Sequence, residues 1–257
     1  MTTQDIQLDI RGAVAVVRLN RAAKRNALSD ALVLGLRDVF ENLPDGVGAA
    51  VLDGAGDHFC AGLDLSELKE RDAGAGVHHS RMWHSALECL QYGRVPVIAA
   101  LHGAVVGGGL ELAAACHIRV ADESTFYALP EGSRGIFVGG GGAVRIPRLI
   151  GAARMADMMF TGRVYNAQDG ERAGFAQYLV PVGTAFDKAM ELAERVAGNA
   201  PLTNYALMHA LPRIAEQPAD QGYLTEALMA AIAQSAPEAK ERVRDFLEGR
   251  ADKVKKA

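Results

Sequence analysis

The sequence is short of several things, and each shortage narrows the reading. Cysteine is scarce: Cys60, Cys89 and Cys116 in 257 residues, an odd number with no CxxC pair. That usage provides no disulfide framework and fits a reducing compartment. No apolar run reaches the roughly eighteen residues of a membrane-crossing helix. Neither sign of charge dominates, with 27 Lys and Arg against 31 Asp and Glu and a net charge of −4. The broad cationic face that holds nucleic acid or an anionic membrane is therefore not expected, although a local basic patch for a phosphorylated small molecule stays open. The opening "MTTQDIQLDIRG" lacks the charged and apolar regions of a secretory signal, so a cytoplasmic location is expected. There is no GxxxxGK[ST] phosphate loop and no HExxH zinc motif.

What is present is an ordinary globular mixture, 49% apolar and 23% charged, long enough for a substantial core. "GAVAVVRLN" (12–20) predicts a strand. Ser29 is a predicted N-cap for an amphipathic helix over 30–43, closed by Pro44 and Gly46. "GAAVLDG" (48–54) predicts a buried strand. Asp64 with Glu67 three residues on resembles a capping box, which predicts a helix from about residue 64. Residues 70–77 read as a mobile loop, and "HHSRMWHSALECLQYG" (78–93) as a helix. A strand over 95–103 leads to a helix opening near 108, and two short strands flank a turn at 122–124. Helices follow over 143–151, with Pro147 blurring the N-terminal boundary, and over 152–160. A strand at 176–181 precedes helical patterns at 184–198, 201–216, 221–234 and 236–249. The basic tail from residue 250 should fray. The alternation predicts an α/β body followed by a helical C-terminal part.

Three glycine-bearing stretches carry the chemistry. In "HGAVVGGGLELAAAC" (102–116), Gly107, Gly108 and Gly109 stand between a strand end and a helix start. The first N–H groups of a helix lack internal acceptors and lie at the positive end of the dipole. Bare glycine backbone lets a ligand approach, so the stretch can stabilise developing negative charge, with Glu111 in reach of the same volume. By itself it reads equally as tight packing with a first-turn capping acid. "HFCAGLDL" (58–65) repeats the logic through Ala61 and Gly62, with the Leu63 N–H facing outward; a plain turn at Gly62 is the alternative. In "LPEGSRGIFVGGGGAVR" (129–145), Glu131 precedes a second glycine run, and alone it reads as a surface carboxylate. His78, His79 and His84 share one helical segment without metal-ligand spacing, and no metal site is expected.

Together the stretches resemble the crotonase (enoyl-CoA hydratase/isomerase) superfamily. The likeness runs collinearly through "RAAKRNALS", "FCAGLDL", "VPVIAALHGAVVGGGLELAAACHIRVAD", "LPEGSRGIFVGGGGAVRIPRLIG" and "GNAPLTNYALMHAL". The resemblance implies a right-handed spiral of ββα units over 1–195. It also implies a C-terminal helical trimerisation region over 196–257, and homotrimers or dimers of trimers. The implied ligand is an acyl-CoA thioester, with coenzyme A as part of the substrate and no separate cofactor. By matching motif, the backbone N–H groups of Leu63 and Gly108 form an oxyanion hole, and Glu111 and Glu131 are the two acids of a hydratase. Gly139 N–H helps to hold the water. Arg25, Ala27, Ala61, Gly62 and Asp64 are expected at the CoA or substrate, although Lys24-Arg25 also reads as a surface basic pair. His102 stands where the family's hydratases often carry asparagine; it could tune the site or simply brace a turn.

Paired acids favour hydration over the single-base isomerases, which makes isomerisation or dehydration of another 3-hydroxyacyl-CoA the alternative. Gly139 occupies the place of the dienoyl-CoA isomerase aspartate, and no acid lies between Glu131 and Asp157 for a dehalogenase nucleophile. A non-catalytic acyl-CoA-binding member or an RNA-associated scaffold is the reading from another class, and retention of both acids argues against it. The acyl pocket is expected around 66–94, including Met82 and Trp83.

Overall fold

The computed structural model describes residues 5–67 and 70–250, so all but Arg250 of the expected frayed tail lies outside the described residues. The chain divides into two compact units, Met1–Ala197 and Gly198–Ala257.

In the first unit the elements are β1 (Ile6–Arg11), β2 (Val14–Leu19), α1 (Asp30–Glu41), β3 (Ala49–Gly54), α2 (Ala73–Gln91), β4 (Val97–Leu101), β5 (Ala104–Val106), α3 (Gly108–Ala115), β6 (Ile118–Asp122), β7 (Phe126–Ala128), α4 (Gly142–Ile150), α5 (Ala152–Thr161), β8 (Tyr165–Asn166), α6 (Ala167–Ala173), β9 (Tyr178–Val180) and α7 (Ala185–Ala197). One sheet has the order β1-β2-β3-β4-β6-β9, and a smaller one the order β5-β7-β8. The β1–β2 pair is antiparallel, and the remaining pairs of the large sheet are parallel. The chain enters the large sheet at β4, the small sheet at β5, then forms α3, and repeats the passage with β6 and β7. Two earlier passages keep only single-residue bridges at the second position, Leu28 to Leu63 and Cys60 to Val105.

The central strands of the large sheet are buried on both faces, which explains the apolar runs Ala49–Leu52 of β3 and Val97–Leu101 of β4. With a side-chain period of two, Ala50, Leu52, Val97, Ala99 and Leu101 face the main core. Val14, Ala49, Val51, Ile98 and Val120 face the other way, onto Ala185, Ala189, Leu192 and Ala193 of α7. The alanines let this helix lie close. α1 buries Leu32, Val33, Leu36, Val39 and Phe40 beneath the predicted cap, where Ser29 Oγ accepts the Leu32 N–H at 3.1 Å.

Two expectations change in this unit. Residues 70–77 are not a loop throughout, because α2 starts at Ala73, where Asp72 caps it by accepting the Ala75 N–H at 2.8 Å. The capping box at Asp64 does not form. Its carboxylate accepts from Arg21, Lys24 and Ser66 instead, and among the described residues a 3-10 turn, Leu65–Glu67, follows. The two short strands expected around the turn at 122–124 form as β6 and β7, and each enters a different sheet.

The second unit is helical: α8 (Pro201–Tyr205), a π turn (Ala206–Ala210), α9 (Leu211–Ile214), α10 (Ala219–Ser235) and α11 (Pro237–Leu247). The single helix expected over 201–216 is interrupted at the π turn, just before Pro212, whose missing N–H breaks the ladder. Tyr223, Leu224, Leu228, Ile232, Phe246 and Leu247 are exposed on this unit.

Candidate active site

The turn into α3 is the centre of the site. Gly107 has φ +53° and ψ −121°, a conformation that L side chains avoid. A Cβ there would come within 2.6 Å of Glu131 Oε1, so the carboxylate of Glu131 lies directly against this turn. Gly108 opens the helix, and its N–H therefore has no intrahelical acceptor. Across from it runs the segment 60–64. Leu28 N–H donates to Gly62 O (2.7 Å) and Asp64 N–H donates to Leu28 O (2.8 Å). Alternation along extended chain then turns the Leu63 N–H to the other side. A Cβ on Gly108 would lie 3.5 Å from Leu63 N, and one on Gly62 would lie 3.3 Å from Gly108 N. The two expected N–H groups thus flank one spot.

That spot lies on a cavity of about 360 Å³ whose walls include Leu63, Gly108, Glu111, Glu131, Gly139 and Trp83. Glu111 stands in the first turn of α3, 4% exposed. Its Oε1 accepts the N–H groups of Gly140 (2.8 Å) and Gly142 (2.7 Å). Arg145, reaching back from α4, braces this loop by donating to Gly140 O at 2.9 Å and to Gln91 Oε1 at 2.7 Å. Burial pushes the Glu111 carboxyl above the ordinary carboxylate range, against the pull of the Gly142 and Gly140 N–H groups and of Arg145. Glu131 is 6% exposed, and its Oε2 is buried without a hydrogen-bond partner. Burial pushes its carboxyl up too, and the neighbouring Glu111 adds to the rise. The arrangement sets two backbone donors beside two desolvated carboxyls. Burial favours the proton on both, and at Glu111 the N–H groups oppose that rise.

The positions expected around CoA divide. Arg25 is exposed in a left-handed conformation, and its carbonyl accepts the Ala61 N–H at 2.9 Å. Ala27 carbonyl is taken by Arg21 at 2.6 Å. Asp64 is 5% exposed, and Lys24, Ser66 and Arg21 hold its carboxyl well below the usual range. It acts as a strut between two loops and is not part of the cavity wall. His102 is likewise outside this cavity. Its Nε2 meets Gly56 O at 3.1 Å, and its ring lines a separate cleft with Arg18, Asp53 and Asp122.

Two important side chains carried no local signal. Asn26, fully buried at φ +54°, accepts the Arg21 N–H (2.9 Å) and donates to Ala55 O (2.9 Å) and His58 O (2.7 Å). Asp30 looks like a first-turn helix acid. Its carboxylate gathers Trp83 Nε1 (2.8 Å), His79 Nε2 (2.6 Å) and Arg71 (3.4 Å) at the cavity wall. These partners lie more than forty residues away in sequence, beyond the reach of any local pattern.

The enoyl-CoA hydratase/isomerase family model matches residues 9–256, and the chain belongs to that family. Its fold is accordingly the crotonase-like α/β fold. Among curated relatives it is 32% identical over 253 residues to enoyl-CoA hydratase EchA19 of Mycobacterium tuberculosis, spanning 96% of this chain and 95% of the relative. It is also 32% identical over 241 residues to 2,3-dehydroadipyl-CoA hydratase of Escherichia coli, spanning 92% and 93%. A crystal structure from Rhodopseudomonas palustris, of a protein provisionally described as an enoyl-CoA hydratase, superposes with a TM-score of 0.94 at 60% identity, covering 96% of each chain.

Proposed function

We propose that the protein adds water reversibly across the 2,3 double bond of a 2-enoyl-CoA thioester. The observation that carries this reading is the meeting of Glu111 and Glu131 on one cavity wall with the N–H groups of Leu63 and Gly108. The thioester oxygen accepts from both N–H groups, which draws electrons from Cβ and stabilises the enolate that forms. Glu111, its anion supported by Gly140 and Gly142, takes a proton from the water whose oxygen bonds to Cβ. Glu131 gives its proton to Cα, and both additions fall on the same face. The reverse sequence removes water. Gly139 lines the same wall beside Glu111, and its N–H helps to hold the water in this reading. Arg25 at the exposed loop is the proposed phosphate contact, and Ala27 is the proposed adenine contact through the second lone pair of the carbonyl that Arg21 holds. Protons and backbone dipoles suffice for this chemistry, with coenzyme A part of the substrate.

Loss of enoyl-thioester absorbance with purified protein measures the reaction. Glu111→Gln and Glu131→Gln should each lower kcat by about 10²–10⁴-fold. Turnover surviving Glu131→Gln while Glu111→Gln abolishes it would sink hydration in favour of a single-base isomerase. The pH profile should be bell-shaped. Rate rises as Glu111 ionises and falls as Glu131 loses its proton, both above the ordinary carboxylate range.

We also propose that the chain works as a trimer or a dimer of trimers, with the exposed apolar side chains of α10 and α11 as contributors to the contact.

A further inference from the structure

The cavity that holds the two glutamates is not lined as a hydrocarbon tunnel. Trp83, Ile136 and Phe137 supply apolar wall, but Arg71, His79 and Ser80 stand among them. A plain alkyl tail would displace water from these polar groups and return no hydrogen bonds, an unfavourable exchange. Asp30 accounts for only part of their bonding capacity. Its Oδ1 takes the two short contacts, His79 at 2.6 Å and Trp83 at 2.8 Å. Its Oδ2 meets Arg71 only at 3.4 Å. A guanidinium offers five N–H donors in a planar fork suited to carboxylate, and a single long contact uses little of that capacity. The Arg71 side chain is 24% exposed, so the fork is neither buried in the fold nor fully open to solvent. The other charged groups that line the wall are the two proposed catalytic acids, which belong to the reacting end, and the Asp30 carboxylate stands behind Arg71, His79 and Trp83.

We propose that the acyl group of the substrate ends in a carboxylate, remote from the thioester and seated on Arg71 with His79 and Ser80 beside it. The proposal rests on the acyl-CoA reading above and narrows it to ω-carboxyacyl thioesters short enough for a cavity of about 360 Å³. Asp30 then acts as a positioning residue. It orients the imidazole and indole from below and leaves the guanidinium fork to the ligand.

The test compares acyl-CoAs of equal chain length that end in methyl, hydroxyl or carboxylate. Calorimetry with the saturated thioesters reads recognition without turnover, and the matching 2-enoyl-CoAs read kcat/KM. The intact wild-type chain should bind the carboxylate tail about tenfold or more tightly than the methyl tail, the scale of a hydrogen bond to a charged group. Arg71→Met should reduce that ratio about tenfold. Equal or tighter binding of the methyl tail by the wild type overturns the proposal, and so does a preference for hydroxyl over carboxylate. The wild-type comparison stands even where the variant misfolds. Carboxylate preference without turnover supports this assignment and defeats the hydratase reading. Turnover without the preference does the reverse.

Discussion

At Gly108 an added methyl group would meet Leu28, Leu63 N and Trp83 at 3.5–3.6 Å, ordinary contact distances. At Gly107 it would meet a carboxylate oxygen at 2.6 Å, on a backbone that already excludes side chains. Adjacent substitutions should therefore fail in different ways. Gly108→Ala should keep its thermal midpoint and lose turnover about 100-fold if the proposed thioester oxygen sits between Leu63 N and Gly108, because the methyl crowds that place. Gly107→Ala should lose about 1–3 kcal/mol of stability, read by denaturant unfolding. The glycine runs and the nearby acid are local patterns, so the sequence marked this turn, while its reading as chemistry came from the family resemblance. Asp30 and Asn26 were not marked, since the meaning of each depends on partners brought close only by the fold.

Among elements, β2, β3 and β4 announced themselves through apolar runs and α1 through its spacing and cap, whereas the polar alternation of β1 (Ile6–Arg11) was not read as a strand. The start of α2 did not, since Gly74 and Gly76 hide a helix that Asp72 begins. The supposed box at Asp64 shows the converse, a pattern whose acid is claimed by cations from a distant loop. That loop is tied to the segment 54–62 by Asn26, by Leu28 N–H on Gly62 O and by Ala61 N–H on Arg25 O. The proposed CoA contact and one oxyanion donor therefore sit on joined loops. In Asn26→Ala, amide exchange at Leu28 and Ala61 should accelerate together and by similar factors; acceleration at one alone would show that the loops move independently.

For the whole molecule, Leu224, Leu228 and Ile232 of α10 and Phe246 of α11 stand exposed, and clustered exposed apolar side chains mark surfaces of association. Light scattering of the purified protein should give a mass three or six times that of one chain; a monomeric mass would refute the assembly proposed above. Another consequence concerns how the cavity is shared out. The reacting end is made by α3, the loop through Gly140 and a glycine turn, and much of it is main chain. The wall proposed to read the acyl tail belongs to α2 and to Arg71 just before it. Mutation can thus recut the choice of substrate on one helix and leave the charge-stabilising half untouched. A scaffold divided in this way can diversify its menu while keeping a single chemistry.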